Sequence, residues 1–446
     1  MKILFISLGC DKNLVDSEHM LGLLTRHGYT ITDSEENADI IVVNTCCFIQ
    51  QAKEESIQNI LEMAEYKIHG VLKALIVTGC MAERYKKEIY QELPEVDAVL
   101  GTNSYDMIVP AIDEVLSKKG YENFYSDDEI PAAGDRRLIT TGGSYEYLKI
   151  AEGCDKHCTY CIIPSLRGHY RSVSMEQLVS EAKELADSGV KELILVAQET
   201  TLYGVDLYGA KSLHVLLKEL CKIPQIRWIR VLYCYPEEIY PELIQTMKEE
   251  AKICHYLDLP IQHANDEILR RMGRKTTKKE IVQIVSNLRK EIPDVALRTT
   301  LITGFPGETQ EHHEELMEFV REMHFDRLGV FTYSQEEGTP AALMDNQMDE
   351  EVKKDRQADL MELQQSISEE NGKKRAGQTV WAMIEGKVAD ENAYIARTYA
   401  DAPDVDGYLF LNTSRQLVTG DFVKAKVTGS LEYDLIGELE EDEYTE

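Results

Sequence analysis

Short apolar segments alternate with helical segments along most of the chain, and this alternation restricts the fold more than any other feature. In the first part, the apolar runs are KILFISL, ADIIVVN, KALIVTG and AVLG, separated by helical stretches such as VDSEHMLGLLTRHG. Nearly continuous apolar strands with intervening helices are typical of a parallel sheet covered on both faces. The pattern predicts a doubly wound α/β domain over residues 1–118, followed by a linker, KKGYENFYSDDEIPAAGDRR, in which the periodicity is lost.

The second part of the chain repeats this alternation. Its candidate strands are EYLKIAEG, KELILVAQE, RWIRVLYCY, HYLDLPIQH, VALRTTLITG and DRLGVFTYS. About six β/α units predict a partial TIM barrel over residues 136–370, in which ligands bind at the C-terminal ends of the strands. A long polar helix, from about Asp349 to Asn371, closes this part.

The last part, residues 373–441, changes character. Five short candidate strands, QTVWAMIEGK, AYIARTY, GYLFLN, DFVKAKVTGS and YDLIGEL, are joined by turns that contain Gly, Asp and Pro. This spacing predicts a small antiparallel β-barrel of the OB-like kind. The acidic tail EEDEYTE is expected to be disordered.

Length, charge and cysteine content limit the class of protein. A chain of 446 residues is expected to form two to four domains. The apolar run from Ile3 to Leu8 is too short for a signal peptide, and no stretch has the length of a membrane span, so we expect a cytoplasmic protein. Its ten cysteines then favour packing, catalysis or metal binding over disulfides. The net charge of −31 disfavours a phosphate backbone as ligand and favours a basic partner, such as a ribosomal protein.

The strongest chemical pattern is AEGCDKHCTYC, which contains Cys154, Cys158 and Cys161 in the spacing C-x3-C-x2-C. Three thiolates this close together favour one soft metal centre. A structural zinc site needs a fourth ligand; His157 is a candidate, but it lies between two of the cysteines. Three ligands instead fit a four-iron cluster with one iron open to a substrate or cofactor. The alternatives are three unrelated thiols and a partial zinc site.

A second set of cysteines follows the strands of the first part. Cys10, Cys46 and Cys80 each come shortly after the last β-branched residue of a strand, which predicts that the three thiols lie at one height on the C-terminal edge of the sheet. They form a second candidate cluster site, with three buried packing thiols as the alternative. Cys47 is one residue out of step with Cys46 and is expected to be a bystander.

The C-x3-C-x2-C pattern after a first barrel strand resembles the radical S-adenosylmethionine superfamily. The resemblance implies a [4Fe-4S] cluster whose open iron chelates S-adenosylmethionine, and reductive cleavage to a 5′-deoxyadenosyl radical. It also implies cofactor contacts from Gln198, Glu199 and Thr200 at the second strand, and from Arg298, Thr303 and Gly304 at the fifth; ordinary packing at the barrel rim is the alternative for each of these. No general acid or base stands out, so no catalytic side chain is assigned.

Two sets of three cysteines and a C-terminal barrel resemble the methylthiotransferases, in which a TRAM barrel docks the substrate. Within that family, SLGCDKNLVDSEHMLG, CTYCIIPSLRG and AQETTLYG resemble the branch that acts on small-subunit ribosomal protein twelve, although AQE stands where AQD is expected. The resemblance implies β-methylthiolation of an aspartate by two [4Fe-4S] clusters and S-adenosylmethionine, with a reductase as electron donor and the assembled ribosome as a possible site of action. The alternatives are methylthiolation of a transfer RNA adenosine and a non-catalytic iron–sulfur carrier.

Charge gives a separate argument about the substrate. Residues 378–446 contain five Lys and Arg against fifteen Asp and Glu, a net charge of −10. A domain that grips transfer RNA is expected to be basic, so transfer RNA is the less favoured partner. The basic run RRMGRKTTKK, Arg270 to Lys279, is interpreted as a solvated helix start, with contact to ribosomal RNA as the alternative.

Two smaller groups complete the predictions. The strand-end residues Asp258, Gln262 and His263 are candidates to line the cavity, with a purely structural role as the alternative. The remaining cysteines are expected to be buried thiols without a chemical role; they are Cys221, Cys234 and Cys254.

Overall fold

The computed structural model describes residues 1–117, 121–123, 137–389 and 391–440. It consists of a parallel α/β domain, an open parallel barrel and a small closed barrel, which confirms the predicted fold class. Most of the expected linker, and the tail 441–446, lie outside the described residues. One piece of the linker differs from expectation, because Tyr121–Asn123 pairs as a sixth strand with Ala98–Leu100.

The N-terminal sheet has six parallel strands in the order β2-β1-β3-β4-β5-β6. The strands are β1 (Lys2–Ser7), β2 (Thr30–Ile31), β3 (Ile40–Thr45), β4 (Ala74–Gly79), β5 (Ala98–Leu100) and β6 (Tyr121–Asn123). The helices are α1 (Asp11–Arg26), α2 (Gln50–Ala64), α3 (Tyr66–His69), α4 (Cys80–Arg84), α5 (Lys86–Glu92) and α6 (Ile108–Leu116). Alternate residues of β3 divide between two cores: Ile41 and Val43 pack with Ile60 of α2, and Ile40 and Val42 with α1 and α6. The sheet is therefore covered on both faces.

The central sheet also has six parallel strands, in the order β14-β13-β12-β11-β10-β7, and it stays open. Its strands are β7 (Tyr145–Lys149), β10 (Glu192–Val196), β11 (Trp228–Val231), β12 (Ile253–Asp258), β13 (Ala296–Thr303) and β14 (Arg327–Thr332), and β8 (Ala151–Glu152) and β9 (Arg171–Ser172) form a separate two-stranded ribbon. The helices are α7 (Ile163–Arg167), α8 (Met175–Asp187), α9 (Val205–Tyr208), α10 (Leu213–Cys221), α11 (Pro241–Glu249), α12 (Asp266–Arg271), α13 (Lys278–Glu291), α14 (Gln310–Met323) and α15 (Glu350–Arg375). Helices cover one face of this sheet in the largest apolar core of the described chain.

The C-terminal barrel is closed, in the order β15-β16-β17-β19-β18. Its strands are β15 (Thr379–Lys387), β16 (Ala393–Thr398), β17 (Leu409–Asn412), β18 (Phe422–Ser430) and β19 (Leu435–Leu439). The barrel is not wholly antiparallel, because β17 and β19 pair in parallel. The sequence predicts the five strands but not this pairing.

The C-terminal barrel docks on the other face of the central sheet through buried charges. Glu192 of β10 accepts from Arg230 Nε at 2.8 Å and from Arg397 Nη2 at 2.7 Å, and all three side chains are inaccessible to solvent. Trp228 packs edge-on against Phe422, with 4.7 Å between the ring centroids. Because these contacts are buried on both sides, the two barrels form one packed unit.

The N-terminal domain lies against loops that follow strands of the central domain. Glu336, in the loop after β14, is 3.0 Å from both Lys53 Nζ and Arg84 Nη1. The Thr102 hydroxyl donates to the Leu166 carbonyl at 2.8 Å. These contacts bring the loops that carry the two sets of cysteines to the same interface.

Within the described ranges, the helices lack the combination of length and apolar character needed to cross a bilayer.

Candidate functional site: two sets of thiols

The strand register brings Cys46 and Cys80 side by side. Thr45, the last residue of β3, pairs with Gly79, the last residue of β4, so the two cysteines leave the sheet together. Cys10 does not share their register, because Ser7 pairs with Asn44 and this puts Gly9 level with Cys46. The expectation of one common height for all three thiols is therefore wrong for Cys10, which follows one residue later as the N-cap of α1.

The loops nevertheless bring Cys10, Cys46 and Cys80 near one another, with Cys10 exposed and the other two buried; the three are called the auxiliary set below. Burial and the neighbouring thiols of Cys80 and Cys10 raise the pKa of Cys46 to about 12. A Cβ built on Gly9 would lie 3.0 Å from Cys46 Sγ, so the Cys10 loop passes directly over that sulfur. The contacts around Cys46 therefore bring the three cysteines together, although Cys10 is out of register with the other two.

Two polar side chains that sequence reasoning missed fix the loops of the auxiliary set. Asn13 Nδ2 donates to the carbonyl oxygens of Leu8 and Thr45, each at 3.0 Å, and so ties the Cys10 loop to the end of β3. The Cys46 N–H donates to Ser56 Oγ at 3.0 Å, and the Ser56 hydroxyl donates back to the Cys46 carbonyl at 2.9 Å. The only sequence signal for Asn13 is its place three residues after Cys10 in GCDKN.

Cys47 has different surroundings from Cys46. Its side chain is fully buried in the apolar core between the sheet and helices α2 and α5, which also contains Cys80, and burial and the Cys80 thiol raise its pKa to about 12. Its carbonyl oxygen accepts from Arg84 Nη1 at 3.3 Å. These contacts support a packing role for Cys47.

The other three thiols, Cys154, Cys158 and Cys161, follow the ribbon strand β8 and are called the barrel set below. Cys154 and Cys158 are 6% exposed, and burial raises the pKa of Cys154 to about 11 and that of Cys161 to about 12. The Lys156 N–H donates to Cys154 Sγ at 3.4 Å, and the Tyr235 hydroxyl is 3.6 Å from Cys158 Sγ. Cys154 and Cys158 are therefore desolvated, whereas Cys161 is half-buried in the same loop.

The basic run Arg270 to Lys279 supports this loop. The Thr159 N–H and hydroxyl donate to the carbonyls of Met272 and Arg271 at 2.9 and 2.8 Å. Arg274 is buried, with its guanidinium 4.3 Å from the centre of the Tyr235 ring. Thr277 does begin helix α13 with a capping box, as expected for a helix start, but the run is not simply solvated.

The predicted cofactor residues at the end of β10 lie beside buried polar groups. Gln198 Nε2 donates to Glu152 Oε1 at 2.7 Å. Glu199 is fully buried, accepts from the Thr201 N–H at 2.9 Å, and has its pKa raised to about 7 by burial. The Thr200 hydroxyl donates to the Leu232 carbonyl at 2.7 Å, so it is already used within the fold.

The predicted residues of β13 have other partners. Arg298 Nη1 donates to Asp258 Oδ1 at 3.0 Å, and its Nε is 3.5 Å from Asp406 of the C-terminal barrel. The Gly304 N–H donates to Glu308 Oε2 at 2.8 Å, and the Thr303 hydroxyl is 3.3 Å from the other oxygen of the same carboxylate. These contacts direct Arg298 toward the C-terminal barrel and the other two residues toward Glu308.

The remaining sequence candidates are mostly buried. Gln262 has a positive φ of 71°, and His263 is fully buried with a pKa lowered to about 3 by burial. Cys234 and Cys254 are buried as expected, whereas Cys221 is only half-buried.

The donor atoms fit the cofactors that the sequence implies. In the described residues, no three His, Cys, Asp or Glu side chains are placed to hold a single metal ion. The buried oxygens Gln198 Oε1 and Glu199 Oε2 lack a hydrogen-bond partner, and they suit the ammonium group of S-adenosylmethionine.

Comparison with known proteins places the chain in a family. "Ribosomal protein uS12 methylthiotransferase RimO" of Lachnoclostridium phytofermentans is 62% identical over 440 residues, which cover 99% of this chain and 100% of that one. The chain belongs to the RimO family. Proteins of the same name from Clostridium perfringens and Acetivibrio thermocellus are each 51% identical, over 98% of this chain and 97% and 98% of their own lengths.

Family models match all three parts of this RimO-family chain. They are the Uncharacterized protein family UPF0004 over residues 2–101, the Radical SAM superfamily over 148–320 and the TRAM domain over 376–439. The resemblance to methylthiotransferases is thereby confirmed, and the protein is a transferase that uses S-adenosylmethionine and [4Fe-4S] chemistry.

Solved structures share the fold. The radical S-adenosylmethionine methyltransferase TsrM from Kitasatospora setae, with cobalamin and a [4Fe-4S] cluster bound, superposes with a TM-score of 0.54 at 13% identity over 77% of each chain. The cobalamin-dependent S-adenosylmethionine radical enzyme OxsB gives a TM-score of 0.51 at 12% identity over 80% of this chain and 56% of its own.

Proposed function

We propose that this protein replaces a C–H bond of an aspartate in ribosomal protein uS12 with a methylthio group. The proposal is supported by two separate sets of three cysteines, on loops that meet at one interface, in a chain 62% identical over its length to a protein named for this activity. One thiol set suffices for radical chemistry. A second set provides a separate cluster site, at which the sulfur to be transferred would be methylated.

In this proposal each set binds one four-iron cluster and leaves one iron open. The auxiliary set, Cys10, Cys46 and Cys80, and the barrel set, Cys154, Cys158 and Cys161, supply the ligands. The bound cofactors supply a methyl group and a radical that removes hydrogen from the target carbon. The chain positions S-adenosylmethionine with Gln198 and Glu199, whose unpaired buried oxygens support that role.

The other four proposed cofactor residues already make hydrogen bonds within the fold; they are Thr200, Arg298, Thr303 and Gly304. All four have partners within the fold, so a role for them requires that the cofactor share or displace these contacts.

The proposed substrate is basic and the enzyme is acidic. With a net charge of −31 the chain attracts a basic ribosomal protein at long range and repels transfer RNA. We further propose that the reaction takes place in the cytoplasm, on free uS12 or on the small subunit, with an electron from a reductase.

Mass spectrometry of uS12 from a deletion strain tests the function. Wild-type protein is expected to restore one methylthio group on one aspartate, whereas Cys80→Ala and Cys158→Ala are expected to leave uS12 unmodified. An unmodified uS12 in the presence of the wild-type protein contradicts the proposal. Nucleoside analysis of transfer RNA from the same strains detects the alternative substrate.

Two measurements on the purified protein separate an enzyme from an iron–sulfur carrier. About eight irons per chain are expected after reconstitution, as for two four-iron clusters. The reduced protein is expected to form 5′-deoxyadenosine from S-adenosylmethionine, and the Cys158→Ala variant is not. Absence of 5′-deoxyadenosine from the wild type would favour the carrier.

A further inference from the structure

A buried arginine connects the two thiol sites. Arg167, the last residue of α7, is 1% exposed. Its Nη1 donates to Asp16 Oδ2 at 2.8 Å and to Glu152 Oε2 at 3.0 Å. Its Nη2 donates to Asn13 Oδ1 and lies 3.5 Å from Cys80 Sγ. One guanidinium therefore contacts both a thiol of the auxiliary set and a carboxylate of the barrel.

Glu152 extends this connection to the end of β10. Its Oε1 accepts from Gln198 Nε2 at 2.7 Å, and its Oε2 accepts from Lys149 Nζ at 2.8 Å as well as from Arg167. Of these four residues, Glu152, Lys149 and Arg167 are buried and Gln198 is half-buried. The electrostatic effect of a charged group bound near Gln198 would therefore be weakly screened at Arg167.

The position of Arg167 has a consequence for a cluster bound at Cys80. A positive N–H donor at a ligating sulfur stabilises the more negative, reduced form of the cluster, and so raises its reduction potential. The planar guanidinium of Arg167 also holds Cys80 Sγ, Asn13 and the carboxylates in a fixed arrangement. The flexible ammonium group of a lysine would hold them less rigidly.

We propose that Arg167, held in place by Glu152, is a positioning residue that sets the reduction potential of the auxiliary cluster. This rests on the assignment of Cys80 as a cluster ligand in the proposed function. Because Arg167 is far in sequence from Cys80, the pairing forms only in the folded chain.

The test uses full-length protein with Cys154→Ala, Cys158→Ala and Cys161→Ala, so that only the auxiliary site can be loaded with iron. In this parent, Arg167→Lys keeps a positive charge for Asp16 and Glu152 but cannot reach all the acceptors of the guanidinium. We expect the reduction equilibrium constant, from dithionite titration followed by electron paramagnetic resonance, to fall about tenfold, which corresponds to ~59 mV. The matched control is Arg230→Lys, an equally buried arginine paired with Glu192, and it is expected to leave the potential unchanged.

A second variant gives the opposite sign and keeps the arginine. Glu152→Gln removes a negative charge beside Arg167, so the potential is expected to rise. If Arg167→Lys alone does not fold, the double variant Arg167→Lys/Glu152→Gln is compared with Glu152→Gln, and it is expected to have the lower potential. Equal potentials in the parent and in the variants, with full iron content, would overturn the role of Arg167. A parent without iron would overturn the ligand assignment instead, and the proposal with it.

Discussion

Cys46 and Cys47 are adjacent in sequence but belong to different environments. The backbone of Cys46 is held on both sides by Ser56, and its sulfur faces the thiols of Cys80 and Cys10. Cys47 contributes to an apolar core. At the scale of single residues, the difference between a ligand and a packing thiol therefore depends on neighbours that are distant in sequence.

The doublet leads to a direct comparison of two variants. Cys46→Ala is expected to remove about four of the eight irons, because it deletes one of three ligands. Cys47→Ala is expected to keep the iron and to cost about 1 kcal/mol, since it leaves a small cavity. Iron analysis and thermal unfolding measure both effects. Equal iron loss in the two variants would show that the assignment is wrong.

Glu199 is expected to make stability depend on pH. Burial raises its pKa from the ordinary 4.5 to about 7, so between these values the folded protein keeps a proton that the unfolded chain releases. Stability is therefore lost as pH rises through this window, by about 3 kcal/mol in total, and no further above it. Glu199→Gln keeps an acceptor for Thr201 but cannot ionise.

Thermal unfolding of the iron-free protein at pH 5 and pH 8 measures this effect. The midpoint of Glu199→Gln relative to wild type is expected to rise between the two values. A constant difference would show that Glu199 does not ionise with a raised pKa.

At the scale of strands and turns, Gly79 allows β4 to end against β3. Its φ is 93°, and a Cβ would lie 2.5 Å from the Thr45 carbonyl oxygen. Gly79→Ala is expected to displace Cys80 and to destabilise the N-terminal domain. Gly28→Ala is the control, because Gly28 has φ 82° in the same domain but open space around it.

Gly28→Ala should cost only the strain of a positive φ, about 1 kcal/mol. Gly79→Ala should cost about 2 kcal/mol more and reduce the iron content, since the clash is with backbone. Chemical denaturation and iron analysis give the two values. Equal costs would mean that the turn relaxes without moving Cys80.

Sequence periodicity predicts most of these elements but not the pairings that depend on distant partners. The apolar runs indicated both parallel sheets because each strand carries its own pattern. Three residues, Tyr121 to Asn123, lack such a pattern and form a strand only because the edge of β5 is available. The same limit applies to the parallel pairing of β17 with β19.

At the candidate site, too, local patterns are predictable from the sequence, whereas contacts between distant residues are not. Cysteine spacing identified both thiol sets, since three thiols in a short loop or after successive strands are unusual. The supporting contacts of Asn13, Ser56 and Arg167 had no signal, because each contacts its partner only across the folded structure. Arg298 is predicted to contact the cofactor from its place on β13, and the contacts of its guanidinium with Asp258 and Asp406 have no signal in the sequence.

At the scale of the whole molecule, the buried charges at Glu192 hold the C-terminal barrel in place. Arg397→Met leaves Glu192 with only Arg230 and Glu385 without its partner, and is expected to cost about 3 kcal/mol. Proteolysis after α15, near Ala376, is expected to become faster. Lys387→Met, at an exposed position of the same barrel, serves as the control. Equal proteolysis rates would mean that apolar contacts alone hold the barrel.

The two thiol sets differ in how much folded structure they require. Cys154, Cys158 and Cys161 lie within eight consecutive residues, so one short loop holds all three. Cys10, Cys46 and Cys80 meet only after β1, β3 and β4 have paired. Local opening of the N-terminal sheet therefore separates the auxiliary thiols from one another, whereas the barrel thiols stay within one short segment of the chain.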